Sequence, residues 1–144
     1  MDMPRKSASI FSPRLPKLLG SRAHSVVDYS FAALFFTAGA VFWRRNRRAS
    51  IGAILCGAGA MLNSLLTDYP GGVARAVTWK THGKIDTALA GITAAVPGLL
   101  GFADDEHALF FESTAVAETL AAGLTDYHLA PKDQDEAWLE NHAA

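Results

Sequence analysis

His24 and Asp28 stand four residues apart, and the same pair returns 58 residues later as His82 and Asp86. The tetrapeptide Leu66-Thr67-Asp68-Tyr69 returns at that offset too, as Leu124-Thr125-Asp126-Tyr127. Residues four apart lie on one helix face, one turn apart, so each His and its Asp project the same way. With Asp68 and Asp126 the duplication supplies two imidazoles and four carboxylates, a donor set that suits Fe, Mn or Zn better than Ca or Mg. The candidate metal ligands are therefore His24, Asp28, Asp68, His82, Asp86 and Asp126. Di-metal helix bundles hold their ions in this general way, with carboxylates and carboxylate–His pairs projecting into a shared core. Those bundles place Glu three residues before its His. Here the shorter Asp follows its His by four, which demands closer helices.

Two other readings use the same residues. His24 and His82 are candidate cofactor ligands for haem or a pigment, provided their nitrogens face each other at the right separation. The ligand-free alternative is a structural staple. Asp28 and Asp86 then sit in the first turns of their helices, where a negative charge suits the helix dipole. Asp68 and Asp126 sit at C-termini and need a cation. A His–Asp hydrogen bond would tie helix 1 to helix 2 and helix 3 to helix 4.

The remaining polar groups are weaker candidates. Glu112 and Glu118 fall inside an apolar run and have Ile54 and Ala60 as their first-half counterparts. A Glu so placed faces protein or water and can relay protons. His107 and His128 fall at helix ends and are expected to be exposed, and His142 is in the tail. No Gly-rich phosphate loop follows a strand, and no Ser-His-Asp order is recognisable. One cysteine, Cys56, excludes a Cys-based metal motif and an internal disulfide, and its Gly/Ala surroundings mark it as a small packing residue. No catalytic residue is identified, and enzymatic activity stays open.

The elements that carry these residues follow from the breaks between apolar runs. Residues 29–43, 49–67 and 87–103 carry no charge. Such runs lie at the lower end of the roughly 17 to 25 residues that cross a bilayer as a helix. Helix 1 is expected over about 24–43, ending at the Arg44-Arg45-Asn46-Arg47-Arg48 loop, and helix 2 over about 50–67, ending before Pro70. Helix 3 starts near His82 and is expected to kink at Pro97-Gly98; helix 4 follows the Asp104-Asp105-Glu106 turn over about 108–125. The dense Gly52, Ala53, Gly57, Ala58, Gly59 and Ala60 allow close backbone approach, so helix 2 should be buried against a partner.

The expected fold is all-α, a four-helix transmembrane bundle made of two fused, pseudo-symmetric helical hairpins. A basic N-terminal segment, 1–21, precedes the membrane domain, 22–127, whose repeats run 22–69 and 80–127. An acidic tail, 128–144, follows as a short surface helix or a frayed end. The even number of crossings puts all six metal-ligand candidates near one membrane face. Nine of the thirteen Lys and Arg lie on that side, which favours cytoplasmic termini; the four arginines of the 44–48 loop pull the other way. A net charge of −1 with no basic face excludes nucleic acid as a partner.

The His-x-x-x-Asp-Tyr that opens helix 1, the Ser64-Leu65-Leu66-Thr67-Asp68-Tyr69 that closes helix 2, His82-x-x-x-Asp86, and Pro97-Gly98-Leu99-Leu100-Gly101-Phe102 resemble the small bacterial membrane proteins with the SPW-type repeat. The likeness covers about residues 22–127. The Ser-Pro-Trp that names the repeat is reduced here to Val96-Pro97-Gly98. The resemblance implies a multi-helix protein of the bacterial inner membrane and supplies no mechanism. The function expected is that of a small accessory or scaffold subunit of a membrane complex, with lipid and a protein partner or a second copy around it. The alternative is a metal-dependent membrane enzyme, or a redox protein with metal or haem at the His/Asp cluster.

Overall fold

A computed structural model of the chain describes residues 15–134. The basic segment is thus described only from residue 15 and the acidic tail only to residue 134. Arg5, Lys6, Phe11, Arg14, Asp135, Glu136, Trp138, Leu139, Glu140 and His142, singled out in the sequence or lying in those segments, fall outside the described residues.

Among the described residues four long helices follow one another: α1 Ser21–Phe42, α2 Arg47–Leu66, α3 Trp79–Leu99 and α4 Ala108–Leu124. A further helical stretch starts at 131. The caps follow from the local residues. The Asn46 side chain accepts the Ala49 N–H at 3.0 Å and starts α2; Thr78 does the same for Thr81 at 3.3 Å and starts α3. Pro97 lies inside α3. The helix closes two residues later, where Gly101 takes a left-handed φ of 69° and the Phe102 N–H reaches back to the Pro97 carbonyl at 2.9 Å.

α1 and α3 each begin three residues upstream of their histidine, one turn earlier than the apolar pattern indicates. Asp28 and Asp86 therefore lie two turns inside, beyond the reach of the helix N-terminal dipole, which acts over the first turn. The first residues of α1 and α3 are 58 apart, as are the last residues of α2 and α4. The chain entering each odd helix lies against the end of an even one. Leu19 bridges to Thr125 and Val77 to Thr67; the Asp68 N–H bonds the Val77 carbonyl at 2.9 Å, and the Asp126 N–H bonds that of Leu19 at 3.4 Å.

α1 packs on α2, α3 on α4, and α2 on α3. Aromatic edges join α1 to α4, where Phe35 and Phe42 meet Phe110 with ring centres 5.8 and 5.4 Å apart. The small residues of α2 face both neighbours: a Cβ at Gly57 would stand 3.0 Å from that of Phe35 in α1, and Gly52 faces Val96 in α3 and Phe111 in α4. The apolar core gathers Phe35, Ala49, Ala53, Cys56, Val96, Phe102 and Phe111. Cys56 is buried and free, and the Thr93 hydroxyl donates to its sulfur at 3.7 Å. Outside, each of α1 to α4 exposes large apolar side chains, among them Val26, Val41, Leu55, Leu62, Ile92 and Val116. Among the described residues two helices, α1 and α2, are long and apolar enough to cross a membrane.

Candidate functional site

Four of the six sequence-derived ligands meet near the ends where α1 and α3 start. His24, Asp28, His82 and Asp86 each offer one donor atom within 4.8 Å of the others, so the group could hold a metal ion. The two Nε2 atoms are 3.2 Å apart. His24 Nε2 lies 3.1 Å from Asp28 Oδ1 and 3.0 Å from Asp86 Oδ2. His82 Nε2 lies 3.2 Å from Asp28 Oδ2 and 3.0 Å from Asp86 Oδ2. His24 is 2% exposed, His82 0% and Asp28 8%.

The outward nitrogens determine what the inward ones present. His24 Nδ1 is 2.7 Å from Thr125 Oγ1, and His82 Nδ1 is 2.8 Å from Thr67 Oγ1. Each hydroxyl already donates its only hydrogen to the carbonyl four residues back, Thr125 to Ala121 at 2.7 Å and Thr67 to Asn63 at 2.6 Å. Each threonine must therefore accept, and each imidazole must donate from Nδ1. A neutral ring then points its Nε2 lone pair at the centre. A hydrogen bond to the far ring nitrogen is how metal-binding histidines are oriented and their tautomer set.

The carboxylates are held in the same manner. Tyr69 donates to Asp28 Oδ2 at 2.9 Å, Tyr127 to Asp86 Oδ2 at 2.9 Å, and Asn63 Nδ2 to Asp86 Oδ1 at 2.8 Å. Burial first, and then the charge of Asp28 on Tyr69 and of Asp86 on Tyr127, push both phenols above their ordinary range, so they remain donors. Trp79 closes the site: its ring stacks on His82 and meets His24 edge-on, with centres 5.3 Å apart in both cases. Gly83 makes room for Tyr127, because a Cβ there would stand 2.6 Å from the phenol ring.

Asp68 and Asp126 stand apart from the cluster. Asp68 is exposed and 3.7 Å from Arg75; Asp126 accepts the His128 N–H at 2.9 Å. The reason is the backbone after α2 and α4. Thr67 and Thr125 are extended, with ψ of 142° and 138°, and side chains alternate along extended chain. Thr and Tyr face the site while the Asp between them faces out. The ties expected within each hairpin run between hairpins instead, His24 reaching Thr125 and Asp86 and His82 reaching Thr67 and Asp28. The threonines and tyrosines were visible in the sequence as members of the repeated tetrapeptide; Asn63 and Trp79, which do not repeat, carried no such signal.

The remaining candidates separate by position. His107 is buried rather than exposed, paired with Asp105 and set edge-on against Phe42 at 4.5 Å; the His107 backbone N–H and then its ring hold the Asp105 carboxyl below the usual range. His128 and Glu112 are exposed. Glu118 turns inward beside the cluster. Imidazole nitrogens 3.2 Å apart, with two carboxylates between their helices, leave no slot for a porphyrin. Comparison with protein-family models, with curated proteins and with solved structures returns no match.

Proposed function

We propose that this chain is a small multi-pass protein of the bacterial inner membrane, of the SPW-repeat type, whose two fused hairpins are joined by one divalent transition-metal ion. It acts as an accessory or scaffold subunit of a membrane complex. The observation that carries the reading is the spacing of the donors. An ion with bonds of about 2.0 to 2.1 Å sets adjacent ligand atoms about 2.9 Å apart at right angles and about 3.3 Å apart at the tetrahedral angle. The closest N–N and N–O separations among His24, Asp28, His82 and Asp86 are 3.0 to 3.2 Å, with Asp28 meeting His24 through Oδ1 and His82 through Oδ2, and one donor atom from each residue lies within 4.8 Å of the others. Charge supports the same reading, because two carboxylates and a divalent cation sum to zero in a buried site. Two imidazoles and two carboxylates suit Zn or Fe. The membrane reading is supported by the exposed apolar side chains on each of α1 to α4 and by the length and composition of α1 and α2.

A staple without metal needs at least one imidazole protonated at Nε2; with one, His82 bridges Asp28 and Asp86 while His24 Nε2 accepts from it or from Tyr127, each at 3.2 Å, and with two, each ring donates to an aspartate. The doubly protonated form sets two positive N–H groups 3.2 Å apart. Elemental analysis of protein purified in detergent from carbonate-washed membranes tests both parts. About one Zn or Fe per chain in the membrane fraction is expected. Release by carbonate would sink the membrane assignment, and metal-free protein that cannot be loaded would leave the staple.

A further inference from the structure

A small cavity lies against the cluster, walled in part by His24, Asp28 and Asp86 themselves. It measures about 30 Å3, and His24, Asp28, Phe31, Asp86, Leu89 and Glu118 contribute to its wall. A space of that size holds a water, which needs only about 10 to 15 Å3 for its centre. Its wall follows the 58-residue offset, taking in Asp28 with Asp86, Phe31 with Leu89, and Ala60 with Glu118. The last pair breaks the match, placing one carboxylate where the other half has a methyl group.

That carboxylate is incomplete. Glu118 Oε2 is buried and has no hydrogen-bond partner. Of the polar groups on the wall, ionised Asp28 and Asp86 offer only acceptors and His24 turns its Nε2 to those two carboxylates; the Thr93 hydroxyl, which also neighbours Glu118, donates to the Cys56 sulfur. Glu118 is not one of the four residues whose donor atoms lie within 4.8 Å of one another. It is therefore too far to join them as a direct ligand and near enough to share their cavity. A buried acceptor in this position needs a donor, and a water in the cavity would supply one. Its lone pair would face the ion and one hydrogen would face Glu118.

Resting on the metal reading above, we propose that the ion held by His24, Asp28, His82 and Asp86 keeps a fifth, exchangeable position on the cavity side, filled by a water that donates to Glu118. The ligand class is water or a small anion. Sites closed by four protein ligands are structural, whereas an open position is what lets a metal polarise or activate a ligand. The proposal thus places this site with the open group, and Glu118 is the positioning residue for the ligand.

The test uses the full chain in detergent, stripped with a chelator and reloaded with Co2+, whose visible bands report coordination number. The expected result is one ion per chain with the weak bands of five-coordination, shifted by azide. Glu118→Leu, which fills the cavity, should retain the ion while absorbance rises severalfold to the tetrahedral type and the azide response is lost. Glu118→Gln, which keeps an acceptor oxygen, should preserve the wild-type spectrum. Failure to bind Co2+ would overturn the metal reading and this inference together. One ion bound with tetrahedral bands, indifferent to azide and to Glu118→Leu, would overturn the water alone and leave a closed site.

Discussion

Thr67, at the end of α2, accepts a hydrogen bond from His82 of α3 at 2.8 Å while giving its own hydrogen to Asn63. The hydroxyl is committed on both sides, so it sets the proton on Nδ1 and turns Nε2 inward. Thr125 does the same for His24. The pairing is reciprocal across the two halves, and each half orients the other's imidazole.

Replacing these hydroxyls tests their role. Thr67→Val and Thr125→Val keep the shape and remove the acceptor. Loss of an outer-shell partner of this kind lowers metal affinity about 10- to 100-fold. Competition against a chelator should show that drop in each variant with helical content unchanged. Wild-type affinity in both would show that the tautomer is set by something else.

The carboxylates should divide into two classes. Asp28→Asn and Asp86→Asn should abolish stoichiometric metal, because both side chains face the two Nε2 atoms. Asp68→Asn and Asp126→Asn should leave metal content at the wild-type level, since one is exposed and the other caps His128. Metal loss in the second pair would mean that the cluster is larger than four residues.

His24→Ala and His82→Ala should behave as a matched pair. Each leaves buried acceptors without a partner, a cost of about 1 to 3 kcal/mol, and more where the group stays charged. Their Nε2 atoms touch at 3.2 Å, so the double variant should fall well short of additivity. Melting of all three variants in one detergent decides it, and strict additivity would argue for two independent staples.

Gly83→Ala should be disproportionately harmful for so small a change. The added methyl meets the Tyr127 ring at 2.6 Å, and moving the ring withdraws a hydrogen bond from Asp86. A destabilisation of about 1 to 3 kcal/mol is expected, the usual range for overpacking. Tyr127→Phe in the Gly83→Ala background should then add little. Full additivity would show that the methyl acts elsewhere.

The sequence by itself determined the number and order of the long helices and the offset that relates their ends. Apolar runs, the Pro70 break and the charged loops at 44–48 and 104–106 are local features, and helices are built from local hydrogen bonds. It also determined that His24, Asp28, His82 and Asp86 share faces, because a four-residue spacing has one meaning on a helix. Only the tertiary structure decided that the aspartates of the repeated tetrapeptide point away while its threonine and tyrosine point in. That choice depends on whether the chain past residue 66 stays helical or becomes extended, and the bridges from Val77 and Leu19 draw it into extension. It likewise decided that the histidines bond across the halves, and that Asn63, Trp79 and Glu118 join the site. Those three residues come from distant turns with no repeated spacing, and packing alone brings them together.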